Sequence, residues 1–127
     1  MKLTIATHLA VLAASASALG INCRGSGLCP SDGAAGNLLN LKEIVDNIQP
    51  RNRNYKTGEQ IACTGSLCVT YESGASNTAD ATSSYLQALL DHGCKKCGSV
   101  PTQPGNDVKK GQLTVNIVGD PKCQGAC

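Results

Sequence analysis

The sequence predicts a small α+β domain that is cross-linked by disulfide bonds, and three observations support this prediction. The chain has 127 residues, enough for one domain, and eight of them are cysteines. Two segments carry apolar residues at helical spacing, and two others have the turn pattern or the alternation of β-strands. With three tyrosines and no tryptophan or phenylalanine, the core must be largely aliphatic, so we expect the cross-links to supplement it.

The N-terminus has the pattern of a secretory signal. Met1-Lys2 gives a positively charged start, residues 3–14 are mostly apolar, and Ala16-Ser17-Ala18 is a small-x-small cleavage pattern. We therefore predict a signal peptide over residues 1–18 and a secreted, extracellular domain over residues 19–127. The alternative, a buried N-terminal helix, is rare for alanine-rich segments that end in this pattern.

All eight cysteines lie in the predicted mature domain. In an oxidising compartment an even number of cysteines indicates a disulfide framework, here of four bonds, whose pairing the sequence alone leaves open.

Two amphipathic helices are predicted from apolar spacing. The first begins after the loop at residues 33–36, ends before Pro50, and has five apolar positions: Leu38, Leu41, Ile44, Val45 and Ile48. The second ends at Gly93, which suits a left-handed cap, and has its stripe at Ala81, Tyr85, Ala88, Leu89 and His92.

Strands are predicted on either side of the second helix. Residues 60–63 and 67–71 flank Thr64-Gly65-Ser66 and form a hairpin, and the alternation over residues 112–118 indicates a strand with one buried face. Residues 51–58 are polar and basic, so we expect an exposed loop there.

Several function classes are disfavoured by composition. A net charge of +2 without clustered aromatics does not suggest nucleic-acid binding. His92 is the only histidine of the mature domain and the acids are scattered, so a secreted hydrolase is a less favoured alternative. Cys94-x-x-Cys97 could be a redox or zinc motif, but structural half-cystines are expected in a secreted chain. We predict no enzymatic activity, no cofactor and no metal.

Three sequence blocks, in order, carry a resemblance to a known family. They are residues 19–26 (LGINCRGS), residues 92–99 (HGCKKCGS) and residues 105–116 (GNDVKKGQLTVN). The chain resembles the fungal killer toxins typified by the virus-encoded killer protein four of smut fungi, the Kp4-like toxins.

The resemblance implies a two-layer α/β sandwich with an antiparallel sheet, two or three helices on one face, and stapling by disulfides. It also implies pairing of Cys23 with Cys94 and of Cys29 with Cys97. Cys63 would pair with Cys123 or Cys127, and Cys68 with the remaining terminal cysteine.

The family implies a secreted, non-enzymatic protein that inhibits fungal growth and is associated with blocking calcium uptake at the cell surface. The expected partner is a cell-surface membrane protein of a target cell, with a calcium channel as the candidate, and the expected state is a monomer. The alternative is a secreted effector of the same fold that acts on a host or microbial surface component without channel block.

Family members carry a basic stretch immediately before the hairpin cysteine, whereas residues 59–62 of this chain contain no basic residue. Contact with the target is therefore predicted from other cations, with ordinary solvated surface charge as the alternative. The first candidates are the cations nearest in sequence to the missing stretch, namely Arg51, Arg53 and Lys56. The full candidate set is Arg51, Arg53, Lys56, Lys95, Lys96, Lys109 and Lys110.

Overall fold

The computed structural model describes residues 19–25, Cys29 and residues 37–127. The predicted signal peptide and the predicted loop at residues 33–36 lie outside the described residues. None of the helices in the described residues has the length and apolar character of a membrane span.

The described chain contains two α-helices and seven short strands. The helices are α1 (Leu38–Asp46) and α2 (Ala79–Asp91), and a 3-10 turn spans Val108–Lys110. The strands are β1 (Asn54–Tyr55), β2 (Gln60–Thr64), β3 (Leu67–Glu72), β4 (Asn77–Thr78), β5 (Gly98–Pro101), β6 (Gln112–Ile117) and β7 (Gly125–Ala126).

Five strands form one antiparallel sheet in the order β5-β6-β3-β2-β7. The predicted hairpin is confirmed as β2 and β3, and the predicted strand near the C-terminus is β6. Alternate residues of β6, Leu113 and Val115, are fully buried in a core that also contains Leu41 of α1 and Leu89 of α2. The predicted α+β fold, with helices packed on an antiparallel sheet, is confirmed.

Side-chain caps fix where both helices begin. The Asn37 side chain accepts a hydrogen bond from Asn40 N at 2.8 Å, and Thr78 Oγ1 accepts one from Ala81 N at 3.1 Å. Such caps satisfy backbone N–H groups that have no partner inside the helix. At the other end of α2, Gly93 has a φ of 96°, the left-handed conformation that the sequence predicted there.

The segment at residues 51–58 is exposed at most positions, as predicted, but residues 54–55 form a strand and one side chain is buried. Strand β1 pairs with β4, and Tyr55 is completely buried. The reason is that pairing with β4 fixes this segment against the core, where Tyr55 is one of the few large side chains. The first helix also ends at Asp46, and Ile48 is buried beyond the helix rather than on its last turn.

The disulfides confirm one half of the implied pairing and contradict the other. Cys23 is bonded to Cys94, and Cys29 to Cys97, as the resemblance implied. The expectation that the hairpin cysteines bond to the C-terminal ones is wrong, because the remaining bonds are Cys63–Cys68 and Cys123–Cys127.

Register explains the pairing within the hairpin. Cys63 and Cys68 are direct partners across β2 and β3, with Cα atoms 4.1 Å apart. The C-terminal pair remains a close neighbour, since the sulfur atoms of Cys63, Cys123 and Cys127 lie within 4.8 Å of one another. The C-terminal segment therefore contacts the hairpin, as expected, but without a covalent bond to it.

The buried ring of Tyr71 joins the sheet to α2. Its hydroxyl shares a hydrogen bond of 2.8 Å with Thr82 Oγ1, and its ring meets that of Tyr85 edge to face, with 6.3 Å between centroids. Burial raises the pKa of Tyr71 to about 12, because the phenolate cannot be solvated in the core.

This raised pKa predicts a loss of stability in alkali. In the unfolded chain Tyr71 ionises near the ordinary tyrosine pKa of 10.0. Its contribution to the free energy of unfolding is therefore complete below that pH and is lost as the pH rises toward about 12. Burial also raises the pKa of Tyr55, so absorbance titration of tyrosinate should show late-ionising groups, one of which disappears in Tyr71→Phe. A titration in which Tyr71→Phe removes an early-ionising group instead would contradict the burial of this hydroxyl.

Candidate target-binding surface

One end of the sheet gathers loops that carry several of the predicted cations. The last residues of β3 and β5, Glu72 and Pro101, both pair with Gln112, the first residue of β6. Strand β2 also begins at this end, since Gln60 pairs with Thr70 of β3. We call the connections at this end (residues 51–59, 73–76 and 102–111) the loop end. Its candidate cations are Arg53, Lys56, Lys109 and Lys110.

Hydrogen bonds between these connections hold the loop end together. Thr57 Oγ1 donates to Ala75 O, and Thr102 N donates to Gly111 O at 3.0 Å. Gln112 Nε2 donates to Ser73 Oγ at 2.9 Å. Loops fixed in this way lose little conformational entropy when they bind a partner.

Lys109 and Lys110 are exposed on the 3-10 turn. The turn is capped by Asp107, whose Oδ1 accepts a hydrogen bond from Lys109 N at 3.0 Å. Val108 anchors it, since its side chain is buried and its N–H donates to Leu19 O at 3.0 Å. The structure therefore presents two consecutive exposed lysines on a fixed support.

Arg53 and Lys56 flank the buried Tyr55. The Arg53 guanidinium lies over the Tyr55 ring, 5.0 Å from its centroid, in a cation–π arrangement. Lys56 is exposed, and its backbone N–H donates to Glu59 Oε1 at 3.0 Å. Tyr55 thus supports a cation in a segment where the sequence predicted only an exposed loop.

Acidic residues partly offset the charge of the loop end. Glu59, Glu72 and Asp107 lie in or next to these loops. Two of their carboxylates accept hydrogen bonds from backbone N–H groups, and Glu72 accepts one from Thr70 Oγ1 at 2.9 Å. The positive charge is therefore local to the lysine and arginine side chains and does not extend over the whole end.

Arg51, which the sequence ranked among the first candidates, has internal partners. Its guanidinium donates to Val45 O at 2.6 Å and to Ser83 Oγ at 2.7 Å, and the side chain is half-buried. It lies 3.7 Å from the Asp80 carboxylate. Because Val45 is at the C-terminal end of α1, the charge also complements the helix dipole. Arg51 therefore joins α1 to α2, and its guanidinium is engaged inside the domain rather than presented with the exposed cations of the loop end.

Lys95 and Lys96 lie at the opposite end of the sheet, just before β5. Lys95 is exposed, and its carbonyl accepts a hydrogen bond from Leu38 N at 2.9 Å, beside the start of α1. Lys96 is half-buried. The structure therefore does not bring these two candidates together with Lys56, Lys109 and Lys110.

The residues considered for catalysis or metal binding have structural positions. Cys94 and Cys97 are each bonded to a different distant cysteine, so they form no redox pair with one another. His92 is exposed at the C-cap of α2. In the described residues, the one cluster of potential metal ligands is Cys63, Cys123 and Cys127, whose sulfurs are all in disulfides and so are not thiolate ligands.

Taken together, these features define a small, disulfide-stapled α+β domain that displays cations on fixed loops. Comparison with known proteins shows its family. The Kp4 family model matches residues 5–119, and the KP4 killer toxin of Ustilago maydis P4 virus is 37% identical over 105 residues, covering 79% of this chain and 80% of the toxin. The chain belongs to the Kp4 family and is a killer-toxin-like protein.

Proposed function

We propose that the protein is a secreted toxin that inhibits the growth of competing or host cells by reducing calcium uptake through a cell-surface cation channel. It acts without catalysis and as a monomer, and its partner is a membrane protein of the target cell. The observation that supports this most is membership of the Kp4 family together with cations presented on the fixed loop end.

The electrostatics of a cation channel fit such a surface. The entrance of a cation-selective pore is lined with acidic groups or carbonyl oxygens, which attract positive charge from outside. Screening limits this attraction to about 8 Å at physiological salt, so charges must reach the entrance to act. Exposed lysines on a rigid turn meet this requirement, since an ammonium group is compact and its support is already ordered.

Secretion is consistent with the disulfides. Each described cysteine is bonded to another, including the long-range pairs Cys23–Cys94 and Cys29–Cys97. Such bonds persist in oxidising extracellular conditions and are rare in the reducing cytosol.

Charge reversal at the loop end tests this proposal. We expect Lys110→Glu to raise the concentration for half-maximal growth inhibition about tenfold, because it places a negative charge against an acidic partner. Lys95→Glu makes the same change in net charge at the opposite end of the sheet and should alter inhibition less than about twofold. The measurement is a dose response on sensitive fungi, with circular dichroism to verify folding.

Two results would overturn the assignment of the surface. One is an equal loss of inhibition in both variants, which would indicate an effect of net charge alone. The other is unchanged inhibition in a folded protein that carries Lys56→Glu, Lys109→Glu and Lys110→Glu together.

A further inference from the structure

The sheet face opposite the helices is polar and carries a cavity that borders the loop end at Val108. Since Leu113 and Val115 point into the core, Gln112, Thr114 and Asn116 lie on the opposite face. A cavity of about 390 Å³ opens on this face near β5. Its polar lining comes from six residues: Asn22, Arg24, Ser99, Gln112, Thr114 and Asn116.

The rim of the cavity is fixed by three tethers. Asn22 and Ser99 exchange two backbone hydrogen bonds of 3.0 and 2.9 Å, which extend the sheet beyond β5. The Cys23–Cys94 disulfide follows immediately along the chain, and Leu19 O accepts a hydrogen bond from Val108 N. A ligand would therefore meet a preformed site and lose little affinity to ordering of the protein.

Internal hydrogen bonds orient the polar groups and leave capacity for a ligand. Asn22 uses one amide N–H on Gly20 O at 2.8 Å, and Gln112 uses one on Ser73 Oγ at 2.9 Å. Each amide retains a second N–H. Ser99 Oγ and Thr114 Oγ1 are 2.7 Å apart and share one hydrogen bond, so both oxygens keep lone pairs for a donor.

Among the described residues that line this cavity, Arg24 is the one cation. Arg24 is exposed at the rim, and its backbone N–H donates to Asn22 Oδ1 at 3.0 Å, which fixes the start of the side chain. Two acids lie nearby, and both are engaged: Glu72 with Thr70, and Asp107 with the 3-10 turn. The Arg24 side of the cavity is thus the side that favours an anion.

We propose that this cavity binds a carboxylate-bearing saccharide, such as a uronic acid unit of an acidic polysaccharide. The carboxylate pairs with the Arg24 guanidinium, whose planar fork suits two parallel hydrogen bonds. The sugar hydroxyls donate to the side-chain oxygens of Ser99 and Thr114. They also accept hydrogen bonds from the side-chain amides of Asn22 and Gln112. This site goes beyond calcium-uptake inhibition, because it would attach the protein to an acidic polysaccharide at the surface of a target cell.

Oligosaccharide titration tests the proposal. Isothermal titration of the full oxidised protein with a trimer of galacturonic acid should show a dissociation constant of about a millimolar or tighter, and a neutral galactose trimer should bind at least tenfold more weakly. Inorganic phosphate, which offers the charge without the ring hydroxyls, should also bind at least tenfold more weakly.

Variants at the rim locate the binding. Arg24→Gln should weaken binding of the acidic trimer about tenfold, and Arg24→Lys should restore only part of it, because lysine keeps the charge but loses the fork. Lys122→Gln removes the same charge beside β2, near the sheet edge away from β5, and should change the affinity less than twofold. Heteronuclear NMR should place the shifted amides at residues 22, 99 and 114.

The opposite outcomes would overturn the site. One is that the acidic trimer does not bind at about ten times the expected dissociation constant. The others are that the neutral trimer or phosphate binds as tightly as the acidic trimer, and that Arg24→Gln leaves the affinity unchanged. Calcium uptake in wall-free protoplasts separates this inference from the proposed function, since Arg24→Gln should leave inhibition there intact.

Discussion

Replacing the Cys23–Cys94 disulfide with two serines is expected to lower the free energy of unfolding by about 4 kcal/mol, from the chain entropy of the loop that it closes. The two cysteines are 71 positions apart, and the bond ties the N-terminal segment to the end of α2. Because small domains have about 5–15 kcal/mol of stability in total, this variant should be marginally folded at 37 °C. Urea unfolding followed by circular dichroism gives the measurement.

The matched control removes a short-range disulfide. Cys63→Ser with Cys68→Ser opens a bond between cysteines only 5 positions apart, and the same entropy argument gives a loss of about 2 kcal/mol. A loss of stability in the control as large as in the long-range variant would contradict this ranking. It would indicate that the hairpin disulfide contributes more to the free energy of unfolding than the entropy of its short loop predicts.

Replacing Arg51 with alanine is expected to cost about 2–3 kcal/mol of stability, because it removes charged hydrogen bonds to Val45 O and Ser83 Oγ. Arg53→Ala is the comparison two positions away. It removes an exposed cation–π contact with Tyr55 and should cost less than about 1 kcal/mol. Both variants lose one positive charge, so net charge does not explain a difference in unfolding free energy.

Growth inhibition separates the roles of these two arginines. The folded Arg51→Ala protein should retain its potency, whereas Arg53→Ala should lose potency while remaining stable. An Arg51→Ala protein that is as stable as the parent but inactive would show that Arg51 contacts the target, as the sequence first suggested.

The local elements could be predicted from sequence because their signals are local. Pro50 follows the first helix, Gly93 follows the second, and a glycine turn joins β2 to β3. Each of these signals acts within a few residues of the element that it defines. The resemblance added the sandwich and the pairs Cys23–Cys94 and Cys29–Cys97, which span most of the chain.

The remaining features depend on tertiary contacts that cannot be predicted from the spacing of residues in the sequence. Tyr55 is buried because β1 pairs with β4, two strands of only two residues each. Arg51 turns inward because α2 places Ser83 within reach, 32 positions along the chain. The pairing of Cys63 with Cys68 follows from the strand register, which sets the two residues opposite each other. Composition and periodicity carry no information on these arrangements.

The candidate surface was predicted in part. The sequence identified the basic residues but could not group them, and the sheet topology separates Lys56, Lys109 and Lys110 from Lys95. Arg24 lies in one of the blocks that carried the family resemblance, yet nothing in that block indicates that it borders a polar cavity. Sheet pairing between Asn22 and Ser99 creates that cavity.

Calcium uptake by sensitive fungal cells exposed to the purified, oxidised protein is the most direct test of the central claim. We expect a rapid fall in calcium influx that precedes growth arrest and is relieved by excess external calcium. The protein with Lys56→Glu, Lys109→Glu and Lys110→Glu should leave influx near the untreated level. Growth arrest with unchanged calcium influx would contradict the account, as would an equal fall in influx with the charge-reversed protein.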